Sequence, residues 1–373
     1  MSFESPIVVL SATTATNALG RALAVAELAS EVAPDVRVYG PDDGRLWTGA
    51  VQVDLPVRQF RSRRELVADV ASLPGRPLVW AIKPLQGSWG AAMAIARVRS
   101  VASILDVDDE DAALSTEFRA RSIANRLRLY RGRMLHPRRI RAALREARST
   151  AAGFTFATEV LADALDLPTG VPRLRVPHPR HREADPVRRP RATGTLHVGC
   201  FGTLRLHKGV DALDALITRE PSVTLHVFES APELLLRHGS ERVVTHPGTT
   251  PLAELYAEVD VSLLPQGTSR GARLQLPAKL LDSMRFGVPV MATATEAIEE
   301  VAGDAFYRVG DWSDIAALRD GIRRCAEPGD ELGRAAKKRF DEHFSIEAQA
   351  SAFAGFLGRF AGSASSGEID QHV

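Results

Sequence analysis

Residues 276–293 read LPAKLLDSMRFGVPVMAT, and Lys279 and Asp282 in that stretch are spaced for chemistry at one end of a helix. Pro277 opens the helix, because its missing N–H costs nothing in a first turn and its fixed φ suits one. Lys279 then falls in the first turn, where the macrodipole disfavours a cation. An ammonium makes sense there beside a bound anion, which the free N–H groups of a helix start attract. Asp282 lies about one turn further on, on roughly the same face. Gly287 and Pro289 stop the helix, and 288–292 reads as a short buried strand. The whole is a helix-to-strand unit with a phosphate site at its mouth.

A second cradle precedes it. The strand-like TLHVGCF runs into GTLRLHKG at 202–209. Gly202 allows a tight turn beside Thr203, Arg205 and Lys208 offer cations, and a helix starts near Gly209. A strand, a glycine turn, cations and a helix start suit a diphosphate. The order is not that of a P-loop, and no Gly-x-Gly-x-x-Gly follows a strand in either half, which argues against an NAD enzyme. Lysine is scarce: Lys83, Lys208, Lys279, Lys337 and Lys338 are the only five among 47 cationic residues. Against 42 arginines, Lys208 and Lys279 mark places where a compact ammonium suits better than a planar fork.

The first half carries its own cluster. LDVDDED at 105–111 places Asp106, Asp108, Asp109, Glu110 and Asp111 at the end of a strand. So many acids together demand solvent or cations. They suit the binding of a substrate hydroxyl, or a general base at Asp108 and Asp109. The same residues also fit a solvated loop that caps a helix. Lys83, in AIKPLQGSWG at 81–90, is placed to meet them, and the loop 11–17 ending at Asn17 forms a third wall. Asn17, Lys83 and Asp106 are the candidates for binding a substrate hydroxyl on this side.

These residues need elements to hold them. Short β-rich runs at 6–10, 36–39, 77–82 and 101–107 alternate with helical patterns, and the alternation resumes at 195–201, 222–228, 242–245, 259–264 and 288–292. That texture predicts an α/β chain with two Rossmann-like domains, whose ligands bind beyond the carboxyl ends of parallel strands. Between 171 and 194 five prolines interrupt the pattern, so the expected division is 1–175, a linker over 176–194, and a second domain over 195–345. A C-terminal helix at 346–361 is expected to pack back on the first domain, and the polar tail 362–373 to be disordered.

Composition sets outer limits. At 373 residues, 45% hydrophobic and net charge +1, the chain is an ordinary two-domain protein rather than a general polyanion binder. Two distant cysteines give no zinc site or disulfide framework. The first residues lack the pattern of a signal peptide and no run is long enough to cross a bilayer, so a cytoplasmic location is expected. Residues 117–148 hold eleven arginines against two glutamates. That reads as a solvated face, or as a peripheral contact with anionic membrane lipid. Nucleic acid is not expected, because few aromatics interleave with the arginines.

At this point a family resemblance is visible. Residues 195–345 resemble the donor domain of the group 1 retaining glycosyltransferases, which have the GT-B fold of two Rossmann-like domains facing across a cleft. GTLRLHKG and LLDSMRFGVPV stand where that family has Gly-Arg-Leu…Lys-Gly and Leu-Glu-Ala-Met…Gly-x-Pro-Val, and 257–265 resembles the strand between them. VPHPRH at 176–181 resembles the segment leading out of the first domain, and the loops at 83–88 and 106–109 look like some actinobacterial members. The resemblance implies that Lys208 holds the diphosphate and that Asp282 takes the ribose-binding position. It also implies a nucleoside diphosphate sugar as co-substrate, retention of configuration, and no cofactor or metal. Three departures stand out: Thr203 where the family has Arg, Leu274 where it has the first Glu of a pair, and Phe228-Glu229-Ser230 for a glycine-rich turn. Arg205 and Lys279 are placed to restore the missing cation. The expected activity is hexosyl transfer to a hydroxyl or amine of a small-molecule, glycan or lipid-linked acceptor. A sugar-nucleotide epimerase, a pseudo-glycosyltransferase and a non-catalytic nucleotide-sugar-binding protein remain alternatives.

Overall fold

The computed structural model describes residues 3–120, 136–184, 194–202, 209–229, 237–327 and 331–361. The chain divides into two compact units, 1–179 with 349–373, and 180–348. The first is built on a seven-stranded sheet of β1 (Ile7–Leu10), β2 (Val36–Pro41), β3 (Val57–Phe60), β4 (Leu78–Ile82), β5 (Ser103–Val107), β6 (Gly153–Phe156) and β7 (Arg173–Arg175). Their order is β3-β2-β1-β4-β5-β6-β7, and every neighbour pair is parallel. A parallel sheet covered on both faces needs unbroken apolar runs. IVVL in β1 and LVWAI in β4 supply them, and every residue of both strands is buried.

The second unit repeats the plan. β8 (Leu196–Gly199), β9 (Val223–Phe228), β10 (Val243–His246), β11 (Val261–Leu264), β12 (Val290–Thr293) and β13 (Tyr307–Val309) form a parallel sheet ordered β10-β9-β8-β11-β12-β13. In both sheets the order reverses beside the first strand, between β1 and β4 and between β8 and β11. Loops leave the sheet in opposite directions at such a point, which opens a crevice for a ligand. Each crevice floor contains a glycine that nothing larger could replace. A Cβ on Gly87 would overlap the carbonyl oxygen of Ala12, and one on Gly209, at φ 66°, would overlap the Pro265 ring.

The helix Ile346–Ala361 ends the described chain, and its residues from 349 on belong to the first unit. Its Phe353 stacks on Trp80 of β4 with ring centroids 5.1 Å apart. Phe353 and Phe356 are both buried. Four strands were not visible as sequence runs: β3, β6, β7 and β13. The most instructive is β7, which lies inside the proline-rich stretch and pairs with β6 as an edge strand. An edge strand tolerates flanking prolines because one side makes no ladder.

Candidate active site

In the second unit the helix Ala278–Arg285 starts after Pro277, which is still extended at φ −74° and ψ 124°. Pro277 is therefore the residue before the first turn rather than its first member. Lys279 is in that turn, and its Nζ donates to Cys200 Sγ at 3.2 Å. Cys200 follows β8 directly, so the ammonium stands at the carboxyl end of the sheet, beside the order reversal. No carboxylate pairs with Lys279 among the described residues. The helix end is closed by Gly287 at φ 64°, and Val288 N–H donates to Ser283 O at 3.0 Å, which completes the turn into β12.

Other side chains brace this end of the sheet. Ser283 Oγ donates to the Lys279 carbonyl at 2.7 Å and accepts from Ser262 Oγ of β11 at 2.8 Å. Gln266 Nε2 caps Ala272 O at 2.7 Å and Gln275 O at 3.0 Å, which shapes the loop after β11. Thr293 Oγ1 accepts from Gln266 N at 2.9 Å and from Trp312 Nε1 at 2.9 Å. Asp282 is buried, and its Oδ1 accepts from Arg180 Nε at 3.1 Å. The nearby Tyr256 hydroxyl is pushed well above its ordinary pKa by burial and by the Asp282 charge, so it stays protonated.

In the first unit Lys83 occupies the carboxyl end of β4 in the left-handed region, at φ 72°. A residue with a side chain holds that conformation only where its surroundings insist. Here Lys83 N donates to Asp106 O at 2.9 Å, and Ser88 Oγ donates to Lys83 O at 2.7 Å. The Lys83 ammonium lies 2.7 Å from Asp108 Oδ1, 2.6 Å from Asp109 Oδ2 and 3.2 Å from Asp111 Oδ1. Burial alone would depress its pKa, but the charges of Asp108, Asp109 and Asp111 raise it well above the ordinary lysine value. Three acids around one base leave excess negative charge. Burial accordingly raises the Asp108 pKa and pushes Asp111 up to about 7, against the pull of Lys83.

Beneath this cluster lies a second ion pair. Arg21 Nε and Nη2 donate to the two oxygens of Asp106 at 2.9 and 2.7 Å. Thr155 Oγ1 donates to Asp106 Oδ1 at 2.6 Å, and Trp80 Nε1 donates to Thr155 Oγ1 at 3.0 Å. Asp106 is 0% exposed and Arg21 is 3% exposed. Asp106 is thus a correction to the sequence reading. It faces the core, where it holds Arg21 and anchors the start of the acidic loop, and it offers no surface to an acceptor.

Comparison with known proteins assigns the second unit. The family model described as "Glycosyl transferases group 1" matches residues 195–327, the stretch that contains Lys279, Cys200 and the loops around them. The chain carries a group 1 glycosyltransferase domain. Solved structures extend the likeness over both units of this glycosyltransferase. HepE from Anabaena, solved in complex with UDP and glucose, superposes with a TM-score of 0.68 at 16% identity, covering 95% of this chain and 99% of its own. A glycosyltransferase from Rickettsia africae gives 0.62 at 10% identity over 96% and 98%. The pneumococcal O-GlcNAc transferase GtfA, in complex with UDP and GlcNAc, gives 0.55 at 14% identity over 81% and 61%. At such identities the likeness establishes the GT-B fold. No curated protein matches the sequence.

The glycosyltransferase brings together part of what its sequence nominates. Lys279, Pro277 and Asp282 share one helix end, with Gly202, at φ 129°, near the end of β8. Thr203, Arg205 and Lys208 lie outside the described residues. Lys83, Asp108 and Asp109 meet directly, while Asn17 is exposed and caps the helix Ala18–Ser30 without a side-chain bond. Among the described residues no group of three His, Cys, Asp or Glu could hold a metal ion, and no helix is long and apolar enough to cross a membrane. Sequence reasoning missed Arg21, Cys200, Arg180, Gln266 and Thr293. Arg21 alone left a signal, as a charge in the first turn of ALGRALAVAELAS, where Glu27 is the only other.

Proposed function

We propose that this glycosyltransferase moves a sugar from a nucleoside diphosphate sugar to an acceptor hydroxyl or amine, with retention of anomeric configuration. The observation that carries the reading is the Lys279 ammonium, set in a helix first turn at the carboxyl end of β8 and paired with no carboxylate among the described residues. A cation left uncompensated at a helix start favours a bound phosphate. Negative charge grows on the diphosphate as the glycosidic bond breaks, and a preorganised cation stabilises that charge most strongly at this moment.

Lys208 and Arg205 join Lys279 at the diphosphate on the strength of GTLRLHKG, with Gly202 and Thr203 forming the turn around it. Asp282 receives the ribose through Oδ2, since Arg180 bonds Oδ1. The acceptor meets Asn17 and the Lys83 cluster, with Asp108 and Asp109 as its acidic groups. A departing phosphate oxygen takes the acceptor proton, so the reaction needs neither a protein base nor a metal. HepE was solved in complex with UDP-glucose, which supports UDP-sugars as the first donors to test.

The test has two parts. A thermal-shift panel of nucleoside diphosphates should give one base that raises the melting point, because a ligand that binds only the folded state stabilises it. Lys279→Ala and Lys208→Ala should each keep the fold and lose about 100-fold in turnover with the matching sugar nucleotide. Near-normal rates in both variants would reject the assignment. Donor consumption that is independent of any acceptor would point instead to hydrolysis or epimerisation.

A further inference from the structure

Four lysines lie among the described residues, and they do not find the same company. Lys83 meets three aspartates, Lys337 meets Asp341 at 3.2 Å and Lys338 meets Glu342 at 3.9 Å. Lys279 meets a sulfur, at 3.2 Å. That sulfur is held in place. Cys200 is fully buried, its N–H donates to His226 O at 2.9 Å, and its side chain belongs to the apolar cluster with Val198, Leu225 and Val261. The other free cysteine, Cys325, lies in the same cluster.

A thiol is a weak, neutral acceptor. It can fix where an ammonium rests without cancelling its charge. A carboxylate in that place would form an ion pair, and an incoming diphosphate would have to break it. An aliphatic side chain would leave a flexible four-carbon stem to be ordered at the moment of binding, which costs affinity.

We propose that Cys200 is a positioning residue for the donor: its sulfur seats the Lys279 ammonium at the anion site and leaves the full positive charge for the diphosphate. The inference rests on the donor site proposed above and adds the group that sets it.

The test is a double-mutant cycle on the full chain, read by calorimetric Kd for inorganic pyrophosphate and for UDP. Cys200→Ser, Cys200→Ala and Cys200→Asp are each made with Lys279 intact and with Lys279→Met. With Lys279 intact, Ser should bind within about threefold of wild type, Ala about fivefold more weakly, and Asp at least about tenfold more weakly. In the Lys279→Met background these differences should shrink to within about twofold, because the group through which Cys200 acts is gone. Urea melts report whether each variant folds, and if Cys200→Asp does not, the Ser and Ala arms still decide. An Ala effect that persists undiminished without Lys279 would show that Cys200 acts through packing alone and would overturn the inference. Wild-type protein that binds neither probe would remove the donor reading, and the inference with it. Normal binding with an additive cycle would remove only the inference.

Discussion

Asp111 keeps a proton in the folded chain that it would lose in the unfolded one. Burial, helped by the charges of Asp109 and Asp108 and opposed by Lys83, pushes its pKa from 3.8 up to about 7. The sign follows from linkage: the folded state binds the extra proton between those two values, so stability from this group is full below about 4 and is lost as pH rises through about 7. Asp111→Asn mimics the protonated form at every pH. The stability gap between this variant and wild type should therefore widen by about 1.4 kcal/mol per pH unit from 5 to 7 and then level off. Urea unfolding at pH 5, 6, 7 and 8 measures it, and a gap constant across that range would refute the buried, protonated carboxyl. The same cluster shows what single residues reveal in a sequence. The place of Lys279 could be read, because Pro277 marks the start of its helix, and the structure sets the lysine in the first turn. Asp106 could not be separated from Asp108, because both stand in one acidic run and only the tertiary partner Arg21 turns one of them inward. Cys200 gave no signal, since a buried cysteine after a strand has the composition of ordinary core.

At the scale of elements, long apolar runs were legible and short edges were not. β1, β4 and β11 are buried along their length, β9 in all but its last residue, and all four read as strands directly. β7 is three residues, RLR, all half-buried, and no pattern of that length separates a strand from a linker. The helix Pro137–Thr150 shows a clearer division of faces. Ile140, Ala143, Leu144 and Ala147 are buried, while Arg138, Arg139, Arg141 and Arg145 are exposed. Each arginine held near an anionic lipid surface contributes about 1 kcal/mol. The expected outcome is that the full chain floats with phosphatidylserine-containing vesicles at low salt and is released by higher salt. Replacing the four exposed arginines with glutamate should abolish flotation while leaving the urea melt in place. If wild type fails to float, or floats equally with neutral vesicles, the face is solvated and has no lipid role.

At the scale of the whole molecule, the chain gives each unit its own sheet and then returns to the first one. The division into two α/β units could be read from the interrupted alternation. The return could not be read with equal detail, because it depends on which aromatic rings of the last helix find a partner. That partner is Trp80, buried in β4 beneath the acidic loop and stacked on Phe353. Phe353→Ala should therefore cost about 3–5 kcal/mol, and the loss should fall on the first unit. On the proposed reading a nucleoside diphosphate binds the other unit, at Lys279, and should add about 2.7 kcal/mol at a concentration 100 times its Kd. The two perturbations should separate in a calorimetric melt: Phe353→Ala lowers one transition, UDP raises the other, and neither moves its counterpart by more than about 1 °C. A single transition that answers to both would mean that the units unfold as one cooperative body. The last helix would then carry stability across the chain instead of closing the core of the first sheet alone.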